Sequence, residues 1–272
     1  MTKRFRRTLG VMAVIADITL LLTGCISGVV DLDDDCNHSG DAEVAMAFST
    51  TLPLTSQTAI RIFGANGEVR VWGDPDVQEV TVEGIRRVRS DTRADAEAHL
   101  PDLKVTAEAD SQEFEVRTIQ PQNTHGRSYI VDYEITVPDC LLTSVTHGNG
   151  FVRIDGIVAD VAVTSGNGEV ELVGVVGSHW VSLGNGEVSA WAHLPAGGQI
   201  VHAVGNGTIF LSVQPQVSAS FDARVGNGTI AVTGLDLKQV VTATRQLQGV
   251  LGSGDGLIDL SAGNGQIRVQ GG

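Results

Sequence analysis

Glu169 and Glu187 stand 18 residues apart, each directly after an identical Gly-Asn-Gly triplet. If the triplets stack, these carboxylates become neighbours about 4.8 Å apart, the spacing of adjacent strands. Paired carboxylates about 5 Å apart are what a retaining glycosidase uses, one as acid/base and one as nucleophile. The same pair also reads as a solvated acidic ladder, mildly disfavoured by like-charge repulsion. Catalysis would further need a groove and a substrate-positioning aromatic or base nearby.

The other reactive residue types form no constellation. His38, His99, His125, His147, His179, His193 and His202 make no His-x-His or His-Glu-x-x-His cluster. His179 and His202 fall in alternating runs that can turn them inward, as core histidines. No triplet continues as Gly-x-Gly-x-x-Gly, and neither Lys104 nor Lys238 follows a Gly, so both nucleotide-loop patterns are missing. A calcium nonapeptide repeat needs Asp two residues after its last Gly. Those places hold Val170, Val188, Ile209 and Ile230. The expectation is a non-enzyme with no cofactor and no metal. A polysaccharide-active enzyme using Glu169 and Glu187 is the alternative.

One cysteine does announce chemistry. Lys3, Arg4, Arg6 and Arg7 precede an apolar stretch from Leu9 to Leu22, which ends in Leu22-Thr23-Gly24-Cys25. That is the layout of a secretory signal, and its end resembles a bacterial lipobox. Asp17 departs from the pattern, since a charge within an apolar stretch is costly. A transmembrane anchor is the other reading, but the stretch is short for a span. Residues 1–24 are therefore read as a lipoprotein signal peptide, and Cys25 as the acylated (diacyl or palmitate type) first residue of an exported chain held on a bilayer. Ile26 is not the Asp that commonly retains such proteins at the inner membrane, which favours the outer membrane or cell surface.

Residues 25–44 hold Asp31, Asp33, Asp34, Asp35 and Asp41 and read as a solvated acidic tether rather than a cation site. Export permits a disulfide between the remaining Cys36 and Cys140, and the sequence leaves that pairing open. The whole chain carries 18 basic and 32 acidic residues, a charge of −14. Without residues 1–24, which contain four of the bases and one acid, it is 14 minus 31, or −17. A nucleic-acid surface is excluded on that balance.

What must position these residues is a repeat. The triplet recurs around Asn149, Asn167, Asn185, Asn206, Asn227 and Asn264, at steps of 18, 18, 21, 21 and 37 residues. Gly254-Asp255-Gly256 is a variant that splits the last step, and Asn66-Gly67 is an earlier relative. After each triplet the second and fourth residues are apolar, as in Glu169-Val170-Glu171-Leu172 and Thr208-Ile209-Phe210-Leu211. A period of two is a strand with one buried face. Asn-Gly is also the strongest hairpin signal, with φ > 0 at both positions, which would give an antiparallel meander or barrel. One identical turn recurring only after two strands points instead to corners that stack.

The expected fold is thus all-β, a single-stranded, two-sided β-solenoid with Gly-Asn-Gly corners. Residues 148–272 form the repeats, and 45–147 form an N-terminal β part with a capping role. In that part, strands are expected at 44–50, 57–63, 67–73, 77–88, 103–109, 112–119 and 129–137, with one helix at about 91–100. Of the 33 glycines, 16 fall in the triplets and their relatives, so the excess over the usual ~7% is positional.

The lipobox, Asn66 to Val71, Tyr133 to Pro138 and the serial Gly-Asn-Gly-[Glu/Thr]-[Val/Ile] elements together resemble the DUF4097 family of bacterial envelope proteins. That resemblance covers roughly residues 45–272. It implies a single-stranded β-helix and an adhesin-like role, with no catalytic residues. By the alternation, Trp180, Trp191 and Phe210 point outward. Exposed rings of this size mark a contact surface for a glycan or an envelope protein, or else cover an edge or pack under a loop. Solenoid ends expose strand edges, so self-association into a scaffold is a further alternative.

Overall fold

The structure, a computed structural model, describes Val29–Val30 and residues 42–272. The expected signal peptide, Cys25, Cys36 and most of the tether lie outside the described residues. The N-terminal part contains β1 (Val29–Val30), β2 (Ala42–Pro53), β3 (Ala59–Phe63), β4 (Asn66–Asp74) and β5 (Glu79–Ser90). There follow α1 (Arg93–His99), β6 (Lys104–Ala109), β7 (Glu113–Ile119) and β8 (Ser128–Pro138). Thr92 caps α1 by accepting the Asp95 N–H at 3.2 Å, and a 3-10 turn over Leu100–Asp102 ends it. Among the described residues no helix is long and apolar enough to cross a membrane.

The repeats form β9 (Leu142–Asp155), β10 (Val161–Val176), β11 (His179–His193), β12 (Gln199–Val213) and β13 (Ala219–Thr233). A hairpin of β14 (Lys238–Ala243) and β15 (Gln246–Leu251) precedes β16 (Gly256–Gly271). From β9 to β12 neighbouring strands run parallel, and each triplet lies opposite the next. The fold is all-β, one hydrogen-bonded sheet with a single short helix among the described residues.

Each long strand changes parity at its triplet. In β9, Thr143, Val145 and His147 are buried before it, and Val152 and Ile154 after it. The apolar inward residues of both halves join one core. The second glycine permits this bend: φ is +131° at Gly150 and +125° at Gly168. A Cβ on either would run into the carbonyl oxygen of the neighbouring strand's glycine, Gly67 or Gly150. Among the described residues only His125 and Gln239 are non-glycines at positive φ. The central Asn therefore keeps ordinary backbone geometry, and the hairpin turn that Asn-Gly invites is not used.

The halves before and after the triplets meet different neighbours at the N-terminal end. β3 pairs with β9 before its triplet and with β7, which carries β6. β4 pairs with β9 across and beyond the triplet and continues through β8, β5 and β2. At the other end the stacking departs from chain order. β16 lies parallel between β12 and β13, while β15 and β14 extend the sheet antiparallel from the first half of β13. The long last step is therefore an excursion through the β14–β15 hairpin, not a missing repeat strand. Asp255 is no corner: it sits in the β15–β16 connection, where its carboxylate accepts the Ser218 and Ser253 hydroxyls at 2.9 and 2.5 Å.

Candidate functional site

The triplets build a ladder of side-chain amides. Asn149 donates to Asn66 at 2.9 Å; Asn167, Asn185 and Asn206 each donate to the preceding rung at 2.7 Å. Asn264 donates to Asn206 at 2.6 Å, and Asn227 to Asn264 at 2.8 Å. Asn66 closes the series by donating to the Tyr129 carbonyl at 3.2 Å. Because these rungs hold the register, residues directly after each triplet form a column: Glu68, Phe151, Glu169, Glu187 and Thr208.

Beside that column runs an open groove of about 790 Å³, lined by Glu68, Arg87, Asp132, Phe151, Glu169 and Glu187. Arg87 and Asp132 come from the antiparallel strands β5 and β8 and form an ion pair. Asp132 also accepts the Glu68 backbone N–H at 3.0 Å. Glu68 pairs with Arg70 at 2.5 Å, whose guanidinium lies 5.6 Å from the Phe151 ring centre. One column further out, Arg153 binds Glu171 and Asp155 at 2.5 and 2.8 Å and lies over Trp72 at 5.4 Å.

Glu169 and Glu187 stand side by side, and among the described residues neither forms an ion pair with a basic group. Glu187 accepts the Ser189 hydroxyl at 3.1 Å. The Glu169 carboxyl is raised above the ordinary value, first by partial loss of solvent and then by the charges of Glu187 and Glu171. A ring, two carboxylates and an ion pair along one groove can stack on a sugar face and accept its hydroxyls. Glu169 and Glu187 also stand directly opposite each other on adjacent strands, whose backbones run about 4.8 Å apart.

The outward aromatics divide into two places. Trp191 lies 5.8 Å from Phe210, rings tilted by 55°, on the same side as the carboxylate column. Trp180 stands before the triplet of β11, beside Ala162 and Val201. Both Trp are exposed, at 38% for Trp180 and 41% for Trp191, and Phe210 is half-buried. Cys140 is exposed in the turn after β8; its expected partner Cys36 lies outside the described residues.

Phe151, Glu68, Arg87 and Asp132 were not among the residues the sequence singles out. For Phe151 a signal existed: it replaces Glu at the first position of a repeat. For Arg87 and Asp132 there was none, because antiparallel pairing of β5 with β8 brings them together.

No family model and no curated relative matches the sequence. Among solved structures, the chain is similar to a "putative cell adhesion protein" from Clostridium sporogenes ATCC 15579, with 11% identity and a TM-score of 0.44 over 82% of this chain and 99% of that one. A "putative adhesin" from Bacteroides fragilis NCTC 9343 is similar with 10% identity and a TM-score of 0.31, over 82% of this chain and 96% of that one.

Proposed function

We propose that the chain is a lipid-anchored, non-catalytic module of the bacterial cell envelope, adhesin-like in role and built as a two-sided β-solenoid. Each coil would run strand, Gly-Asn-Gly corner, strand and return loop. In-register parallel pairing and the parity change at each triplet support that geometry. The resemblance to DUF4097 and the lipobox at Cys25 support the envelope setting.

The observation that carries the reading is the side of the sheet running from Phe151 through Glu169 and Glu187 to the Trp191–Phe210 pair. Rigid strands present rings and carboxylates there in fixed order, which suits a glycan or another envelope protein. In binding assays of the mature chain against envelope polysaccharides, Trp191→Ala with Phe210→Ala should weaken capture at least about tenfold. Unchanged capture by a folded double variant would overturn the reading.

One observation favours a second reading, a polysaccharide-active enzyme: Glu169 and Glu187 share a groove with an aromatic ring, and the Glu169 carboxyl is raised. Release of reducing ends from a cell-wall or capsular glycan, abolished by Glu187→Gln, would establish it. Binding without release supports the first.

A further inference from the structure

His179 and His202 are fully buried in the halves of β11 and β12 that precede their triplets. Nδ1 of His179 lies 2.9 Å from Nε2 of His202, with ring centres 5.0 Å apart. Register places Ile200 opposite His179 and Val181 opposite His202, so the bond crosses one strand gap diagonally. The two outer nitrogens, His179 Nε2 and His202 Nδ1, have no hydrogen-bond partner.

The surroundings are apolar but for one hydroxyl and carry no charge. β10 contributes Val161, Val163 and, level with Leu183, the buried Ser165; β11 contributes Val181 and Leu183, β12 Ile200 and Val204, and β16 Ile258 and Leu260. Beyond the triplets the inward residues of β11 and β12 are Val188, Ala190, Ala192, Ile209, Leu211 and Val213. The nearest titratable groups along these strands face elsewhere. Exposed Asp160 accepts the Ser178 N–H at 2.8 Å, Asp259 pairs with Arg224 at 2.6 Å, and His193 is exposed.

Two neutral imidazoles satisfy each other once, one N–H to one ring lone pair. A first added proton would bury a net charge with no counter-charge, and a second would set two N–H donors face to face. We propose that the His179–His202 pair is an acid-sensitive latch, which joins β11 to β12 while neutral and opens the sheet between them when protonated.

Burial drives both rings the same way: His179 falls to about 4, and His202 lies well below the ordinary 6.5, the charge of His179 adding to its burial. A histidine freed by unfolding takes up its proton below about 6.5. The pair's stabilisation is therefore full above that pH and is lost as pH falls toward the folded values.

The test is urea unfolding of the mature chain at pH 7.5 and pH 5, beside the His179→Leu/His202→Leu double variant. Acidification to pH 5 should raise the unfolding constant of the unmodified chain by about 30-fold per histidine beyond its effect on the variant. Parallel losses in the two proteins would overturn the proposal. Should the variant not fold, amide hydrogen exchange of the unmodified chain decides. After correction for intrinsic rates, protection must fall between pH 7.5 and pH 5 in β11 and β12 ahead of β9 and β10; a uniform fall would overturn it.

Discussion

Asn264 donates its side-chain amide to the Oδ1 of Asn206, 58 residues earlier, at 2.6 Å. Through this contact the last strand takes a rung in the interior of the ladder, with Asn227 of β13 beyond it.

Removal of β16 should therefore unfold more than the deleted residues. A chain ending at Asp255 leaves β13 without its parallel neighbour, and with it the β14–β15 hairpin that is joined to the sheet only through β13 among the described residues. Limited proteolysis is expected to cut throughout 219–251 while sparing β9 to β11. Survival of 219–251 as a resistant fragment would refute this.

The ladder predicts a graded response to losing an amide. Asn185 both donates to Asn167 and accepts from Asn206, whereas Asn227 only donates. At about 0.5–1.5 kcal/mol net for each hydrogen bond, with solvent reducing both, Asn185→Ala should cost about 1–2 kcal/mol in urea unfolding. The cost of Asn227→Ala should be about half that. Equal costs would show that rung position does not matter.

Positive φ alone and positive φ with backbone crowding can be separated by two substitutions. Gly126 has φ +85° and open space around a added Cβ, so Gly126→Ala should cost about 1 kcal/mol. Gly168 has φ +125° and the Gly150 carbonyl in the way, so Gly168→Ala should cost about 4 kcal/mol or prevent folding. Comparable melting temperatures for the two would contradict the close strand approach.

In the groove, Glu187→Gln removes one of the two charges that raise the Glu169 carboxyl. Carboxyl NMR titration should show Glu169 moving down toward the ordinary value without reaching it, since loss of solvent remains the first cause. An unmoved Glu169 would mean that the two carboxylates do not sense each other.

How far the sequence could foretell this depends on whether a contact follows the repeat. Asn149, Asn167, Asn185 and Asn206 stack in chain order, so equal spacing and in-register pairing carry the same information. Asn264 does not, because the 37-residue step is compatible with a skipped coil and with an excursion alike. Asp255 resembles a corner in its flanking glycines, yet it lies in a connection held by Ser218, the residue just before β13. The carboxylate column was legible as vertical neighbours, but its groove was not, since Arg87 and Asp132 approach through antiparallel strands outside the repeat. His179 and His202 could be read as inward individually. Their bond escapes any column argument because its partners differ by two register positions.

The rungs of asparagine all point one way. Every Nδ2 donates toward the Asn66 end, so amide dipoles add head to tail along the stack and polarise one another. The two termini of this chain of dipoles are therefore unlike. At Asn66 the series ends on a protein carbonyl, whereas among the described residues nothing donates to Asn227 Oδ1. Interior rungs, by contrast, are interchangeable, each giving and receiving the same bond. Duplicating an internal unit such as 161–178 would add a rung without altering either terminus, so the ladder can lengthen by whole repeats while both of its ends stay as they are.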